Sequence, residues 1–154
     1  MTIRVTVWGE NVHEQKNKVV ADVYPKTMHG TIANALNRED GITASTVTLQ
    51  DPDHGMTAAK LAATDVLIWW GHQRHGEVKM ETVGKAVADR VKAGKLNLIA
   101  LHSAHFATPF FAVMNERTTD DALKTLTKAE REKVQIKYVQ PQRRLYAKTE
   151  PLTP

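Results

Sequence analysis

The stretch Thr64-Asp65-Val66-Leu67-Ile68-Trp69-Trp70-Gly71-His72-Gln73-Arg74-His75-Gly76 decides how this chain folds. Its first half, Asp65–Trp70, is an almost unbroken apolar run of strand length, as expected of a strand covered on both faces. It stops at a glycine-flanked loop carrying two histidines. Working outward, three further runs share the apolar, β-branched character of the first: Ile3–Trp8, Thr46–Leu49 and Leu96–Leu101. Between them lie helical patterns. His29–Leu36 spaces Ile32, Ala33 and Leu36 along one face, and Thr57–Ala63 opens on an N-cap threonine. Glu77–Ala93 aligns Met80, Val83, Val87 and Val91, with Gly94 just past its end. A further helix begins at Thr108 with Pro109 in its first turn. Strands alternating with helices imply right-handed crossovers and a parallel sheet. The expected fold is α/β, a flavodoxin-like doubly wound parallel sheet of order 2-1-3-4.

After Met114 the pattern changes. Asp120–Lys133 is charged and helical, with Thr127 and Glu130 at capping-box spacing, and Val134–Val139 alternates like a strand. We therefore divide the chain into an α/β core, residues 1–114, and a charged helical and extended insertion or C-terminal arm, residues 115–154. Nothing near Pro154 reads as a packed final element, so the fold is expected to be incomplete at its C-terminus.

The 154 residues are 42% hydrophobic and 25% charged and contain no cysteine. This excludes disulfides, thiolate catalysis and thiolate metal sites, leaving histidine and carboxylate as ligands and bases. The net charge is +4. Its excess sits late, in Lys137, Arg143, Arg144 and Lys148, without interleaved aromatics, so neither nucleic acid nor a membrane is expected as partner. The opening Met1–Trp8 reads as a strand rather than a leader, which points to a cytoplasmic protein.

In a parallel sheet the strand C-termini share one edge, and ligands bind in the crevice outside it. The five-residue windows after the four strands hold six of the seven histidines: His13, His54, His72, His75, His102 and His105. Only His29 falls elsewhere, at the first helix, where it is structural or lines the crevice. Glu10 and Glu14 flank His13, and Ser103 lies between His102 and His105. Imidazoles move protons near neutral pH and bind metals. His13, His72 and His102 could hold a divalent ion, zinc or manganese, with an open position for substrate. Without metal the same groups could shuttle protons beside a carbonyl. Ser103 could be a nucleophile, although no GxSxG elbow surrounds it. His54, in Asp51-Pro52-Asp53-His54-Gly55, reads as a turn residue, and His75 as a loop residue or a ligand contact. Trp69 and Trp70 pack a strand against its helices or stack on a sugar.

At these loops the chain resembles the ThuA-like, trehalose-utilisation family, within the class I glutamine amidotransferase-like superfamily. The matching segments are VTVWGENVHE (5–14), YPKTMHGTIANAL (24–36), DPDHGMT (51–57), TDVLIWWGHQRHGEV (64–78) and LIALHSAHF (98–106). The resemblance implies a flavodoxin-like fold and a role in carbohydrate metabolism, on a keto-sugar or glycoside made by a partner oxidoreductase. The family pattern carries over to His13, Glu14, His72, His75, His102, Ser103 and His105. Amidotransferases place a cysteine nucleophile where His102 or Ser103 stands here, so glutamine hydrolysis through a thiolate is excluded. Two departures stand out: Ala104 replaces the glycine of the usual HSGH, and Asn115–Pro154 resembles an insertion rather than the remaining strands.

The leading expectation is a sugar isomerase, lyase or hydrolase, with His13, Glu14, His72, His102, Ser103 and His105 catalytic. Glu10, Trp70, His75 and His29 would contact substrate. The alternative is a non-catalytic module binding a sugar or a protein, and a homo-oligomer is compatible with either. Metal storage or sensing through the histidines is a third, weaker reading.

Overall fold

A computed structural model describes residues 2–138. The strands β1 (Ile3–Gly9), β2 (Ile42–Thr48), β3 (Val66–Trp70) and β4 (Asn97–Ala100) form one parallel sheet in the order β2-β1-β3-β4. This is the expected order, with its topological switch between β1 and β3. The helices are α1 (His13–Lys16), α2 (Lys18–Val23), α3 (Met28–Leu36), α4 (Ala58–Ala62), α5 (Lys85–Lys92), α6 (Thr108–Lys124) and α7 (Lys128–Arg131).

The two faces of the sheet are covered differently. Helix α3 packs on β1 and β2, sealing Val5, Val7, Ile68 and Ala33. The opposite face carries the larger core, built from Trp8, Leu67, Trp69, Val83, Val87 and Leu96, beneath α5 and α6. Trp8 and Trp69 are register partners on adjacent strands, and their rings stack at 3.8 Å. Such aromatic pairs contribute about 0.5–1.5 kcal/mol beyond burial. Because side chains alternate across a strand, Trp70 faces away from this core. The two readings of the tryptophan pair are thereby divided: Trp69 packs the core, and Trp70 is left for the other face.

At the opposite end of the strands, the Arg4 guanidinium hydrogen-bonds the Asp65 carboxylate and, with the Arg4 backbone N–H, lowers its pKa to about 2. Thr6 and Thr64 exchange a buried hydroxyl hydrogen bond of 2.7 Å.

Several elements depart from expectation. Strand β2 starts at Ile42 rather than Thr46. Its residues ITASTVT pack against β1 on one side only and leave much of the strand exposed, so the apolar signal is diluted. Helices α1 and α2 were not expected, since α2 exposes Val19 (72%) and Val23 (63%). It is started instead by Asn17, whose side chain accepts from the Val19 and Val20 amides. The single helix expected over Glu77–Ala93 is a π-type turn, Met80–Gly84, leading into α5. A Cβ on Gly84 would lie 3.0 Å from Thr108 Cγ2, so the glycine permits the close approach of α6.

Helix α6 begins at Thr108 as expected and runs unbroken through Met114 and Asn115 to Lys124. The Thr127–Glu130 capping box is present, and its hydrogen bonds hold the Glu130 carboxyl below the usual range. Residues 134–138 of the expected strand have no regular structure, and Val139 lies outside the described residues. Among the described residues no helix is long and apolar enough to cross a membrane.

Candidate functional site

Where β1, β3 and β4 end, three loops enclose a crevice of about 410 Å³. His13 opens α1 after β1, Trp70 ends β3, His72 lies in the loop that follows it, and His102 lies in the turn after β4. Val20, Tyr24 and Met28, from α2 and the start of α3, form the remaining wall. The site is therefore an apolar slot edged by three imidazoles. Val20, Tyr24 and Met28 escaped the sequence reading because their value lies in closing the slot, which no local pattern announces. Tyr24 and Met28 do lie inside the second family-like segment.

The loop after β3 is anchored from below. Glu10 is only 1% exposed. Its carboxylate accepts the amide of His72 at 2.5 Å and that of Gln73 at 2.9 and 3.2 Å. Glu10 was expected to touch substrate; the structure instead commits it to the loop that carries His72.

Ser103 is committed in a similar way. Its hydroxyl donates to the Gly71 carbonyl at 2.7 Å and lies 3.2 Å from His72 Nδ1. A serine hydroxyl has one proton to give, so His72 must donate through Nδ1–H. The neutral ring then carries its lone pair on Nε2. A serine whose proton is held by a carbonyl, and whose imidazole neighbour donates to it, is not an activated nucleophile. The arrangement makes Ser103 the residue that sets the tautomer of His72.

His13 and His72 lie 5.7 Å apart with ring planes only 15° from parallel. His102 sits at the start of the turn after β4 with φ +48°. This left-handed backbone is uncommon for a side-chain-bearing residue and recurs at functional turns. Ala104, where a glycine was expected, is fully buried in the main core and needs no positive φ. Its methyl fills space without straining the turn.

The other expected residues lie apart from the slot. His105 Nδ1 donates to the His102 carbonyl at 3.0 Å, and its ring sits 4.0 Å from Phe106. His75 lies behind Gly71, with Nε2 buried and unpartnered. Burial pushes its pKa below the ordinary value; Glu10 opposes that shift, and His72 and His105 add to it. His54 serves its turn, with Nδ1 donating to the Leu49 carbonyl.

Glu14 and His29 form a buried pair beside the slot. Glu14 Oε1 accepts the Met28 amide at 3.3 Å and lies 3.7 Å from His29 Nδ1. Burial lowers the His29 pKa, against the opposing charges of Glu14 and Asp51. Gly9 makes room for this ring: a Cβ there would come within 2.6 Å of His29 Cγ.

Among the described residues no three histidine or carboxylate groups converge as metal ligands. Two near-parallel stacked rings do not aim their lone pairs at one point, as a tetrahedral ion requires.

A 2-1-3-4 parallel sheet with its crevice at the β1/β3 switch point defines a flavodoxin-like α/β protein. The family model described as trehalose utilisation, ThuA, matches residues 4–146, and the chain belongs to that family. No curated protein matches the chain.

Proposed function

We propose that the slot binds a keto-sugar or the keto form of a glycoside and that His72 acts there as a general base through Nε2. The observation that carries this reading is the relay from His72 Nδ1–H through Ser103 to the Gly71 carbonyl. An imidazole fixed by its rear nitrogen, on a loop anchored by Glu10, is a pre-oriented acceptor for a proton. The proton beside the substrate carbonyl moves to Nε2, the C–H electron pair forms a C=C bond, and the carbonyl π pair moves onto oxygen, giving an enolate. A ring N–H of His13 or His102 hydrogen-bonds that oxygen. Isomerisation follows when the adjacent hydroxyl passes its proton to the first oxygen and Nε2 returns its proton to the former carbonyl carbon; departure of a β-substituent with its bonding pair gives elimination. Trp70, Tyr24 and Met28 supply the apolar surface for the C–H face of a sugar ring. In this reading a partner oxidoreductase supplies the keto group.

The reaction can be followed without knowing its product. In D2O, a base acting beside a carbonyl exchanges the adjacent C–H for deuterium, which proton NMR detects on a 3-keto-glucoside. Wild-type protein should exchange it at a rate that falls at least a hundredfold in His72→Gln. Equal exchange by both proteins would refute the role of His72.

A second reading, a sugar-binding module without turnover, draws on one observation. The nearest carboxylates, Glu10 and Glu14, are turned to backbone amides rather than to His13, His72 or His102. Saturable binding of the keto-sugar with no exchange would favour it.

A further inference from the structure

A second cavity, of about 580 Å³, opens at the same edge of the sheet but on its other face. The histidine slot lies on the α3 side, whereas this cavity is bounded by the loop after β2 and the segment entering α5. Its floor is apolar, formed by Leu49, Met56 and Val83. Its rim presents Asp53, His54, Lys79 and Thr82.

The rim is built rather than incidental. Across the turn Pro52–Gly55, three successive residues have left-handed backbone: Asp53 (φ +51°), His54 (φ +52°) and Gly55 (φ +72°). Aspartate and histidine enter that region more readily than most residues, but as single residues; three left-handed residues in succession are uncommon, and such conformations gather at binding sites. Here the sheet imposes them. The buried Trp8 gives its indole N–H to the His54 carbonyl at 2.8 Å, and the Thr48 amide is held by Asp51 Oδ2 at 2.7 Å. Gly55 lies so close to Val47 that a Cβ would meet it. The turn thereby carries Asp53 and His54 to the cavity mouth. Because the Leu49 carbonyl can only accept, His54 carries a proton on Nδ1, which leaves Nε2 as the nitrogen free for a ligand hydroxyl.

The geometry points to a second small-molecule site, on the α5 face of the sheet, for a neutral polyhydroxylated ligand such as a sugar or a cyclitol. An apolar floor receives the C–H face of such a ring. The rim combines the Asp53 carboxylate and the His54 ring with donors, the Lys79 ammonium and the Thr82 hydroxyl. Hydroxyl groups, which both donate and accept, match that mixture. An anionic ligand would face the Asp51 and Asp53 carboxylates, and a hydrophobic one would leave the rim groups unpaired. The site does not depend on catalysis in the slot.

The test is an amide and indole NMR titration of the full chain with glucose, trehalose and myo-inositol in turn. Saturable shifts are expected at the Trp8 indole N–H and the Thr82 and Val83 amides. They should persist in His102→Ala and weaken at least tenfold in Lys79→Met and Asp53→Asn; asparagine preserves tolerance of the left-handed backbone. No saturable shift at these positions with any of the three probes would overturn the site. So would shifts that neither variant weakens. Shifts at Trp70 and His72 report the slot separately, so binding confined to them would overturn the second site and leave the first standing.

Discussion

Replacing Glu10 by glutamine removes one charge from the floor of the site and keeps the side chain's shape. In the wild type, Oε2 accepts the His72 and Gln73 amides at 2.5 and 2.9 Å, and Oε1 accepts the latter again at 3.2 Å. The glutamine oxygen can occupy the place of Oε2 and keep both short bonds, but only as neutral ones. Its NH2 group then turns toward an amide that also donates, and the third bond is lost. Hydrogen bonds to charged groups contribute about 1.5–3 kcal/mol, against about 1 kcal/mol for neutral ones. With two bonds weakened and one lost in a site 1% exposed, the expected destabilisation is about 2–3 kcal/mol. For a domain of this size that lowers Tm by roughly 4–12 °C. Chemical denaturation gives the free energy, and hydrogen exchange should show the His72 and Gln73 amides opening faster than the β1 and β3 ladder. A loss under about 0.5 kcal/mol, the range of an ordinary surface change, would refute Glu10 as the anchor of the loop.

Two further predictions concern the floor beside the slot. Gly9→Ala drives a methyl into the His29 ring, and Tm should fall by roughly 4 °C or more, the effect of an overpacked core; an unchanged melting curve would show that α3 can shift aside. Burial holds the His29 pKa below its ordinary value, so the unfolded chain takes up a proton that the fold resists. Stability contributed by the neutral ring is therefore present above about pH 6.5 and is lost as pH falls toward the folded pKa. His29→Gln should flatten that acid-side slope in pH-dependent denaturation, leaving the share due to His75, whose pKa is also lowered. An identical slope in both proteins would contradict the assignment.

The legible parts of this fold were those where burial on both faces made the pattern continuous. Asp65–Trp70 and Ile3–Trp8 announced β3 and β1, and the alternation of elements implied the parallel sheet, for which 2-1-3-4 was the preferred order rather than one the pattern dictates. Strand β2 was legible only at its end, because its polar half pairs at the sheet edge. Helix α2 was hidden because Asn17 starts it while its valines face solvent. The strand-end rule brought His13, His72 and His102 to one slot, but it could not separate groups facing the slot from groups holding it up. In sequence Glu10 reads as a substrate contact and Ser103 as a catalyst, because both are polar residues near histidines. Their hydrogen bonds add that Glu10 holds the His72 loop and Ser103 pairs with the His72 ring. Trp69 and Trp70 differ by a single position, and the face each takes depends on register with β1.

The most direct measurement is the tautomer of His72, read from nitrogen NMR of the imidazole in ring-labelled protein above pH 7, with the signal assigned by its loss in His72→Gln. A neutral ring protonated on Nδ1 is expected, shifting toward the Nε2–H form in Ser103→Ala as the acceptor is withdrawn. A wild-type ring protonated on Nε2 would contradict the relay, and with it the lone pair on which the proposed base chemistry depends.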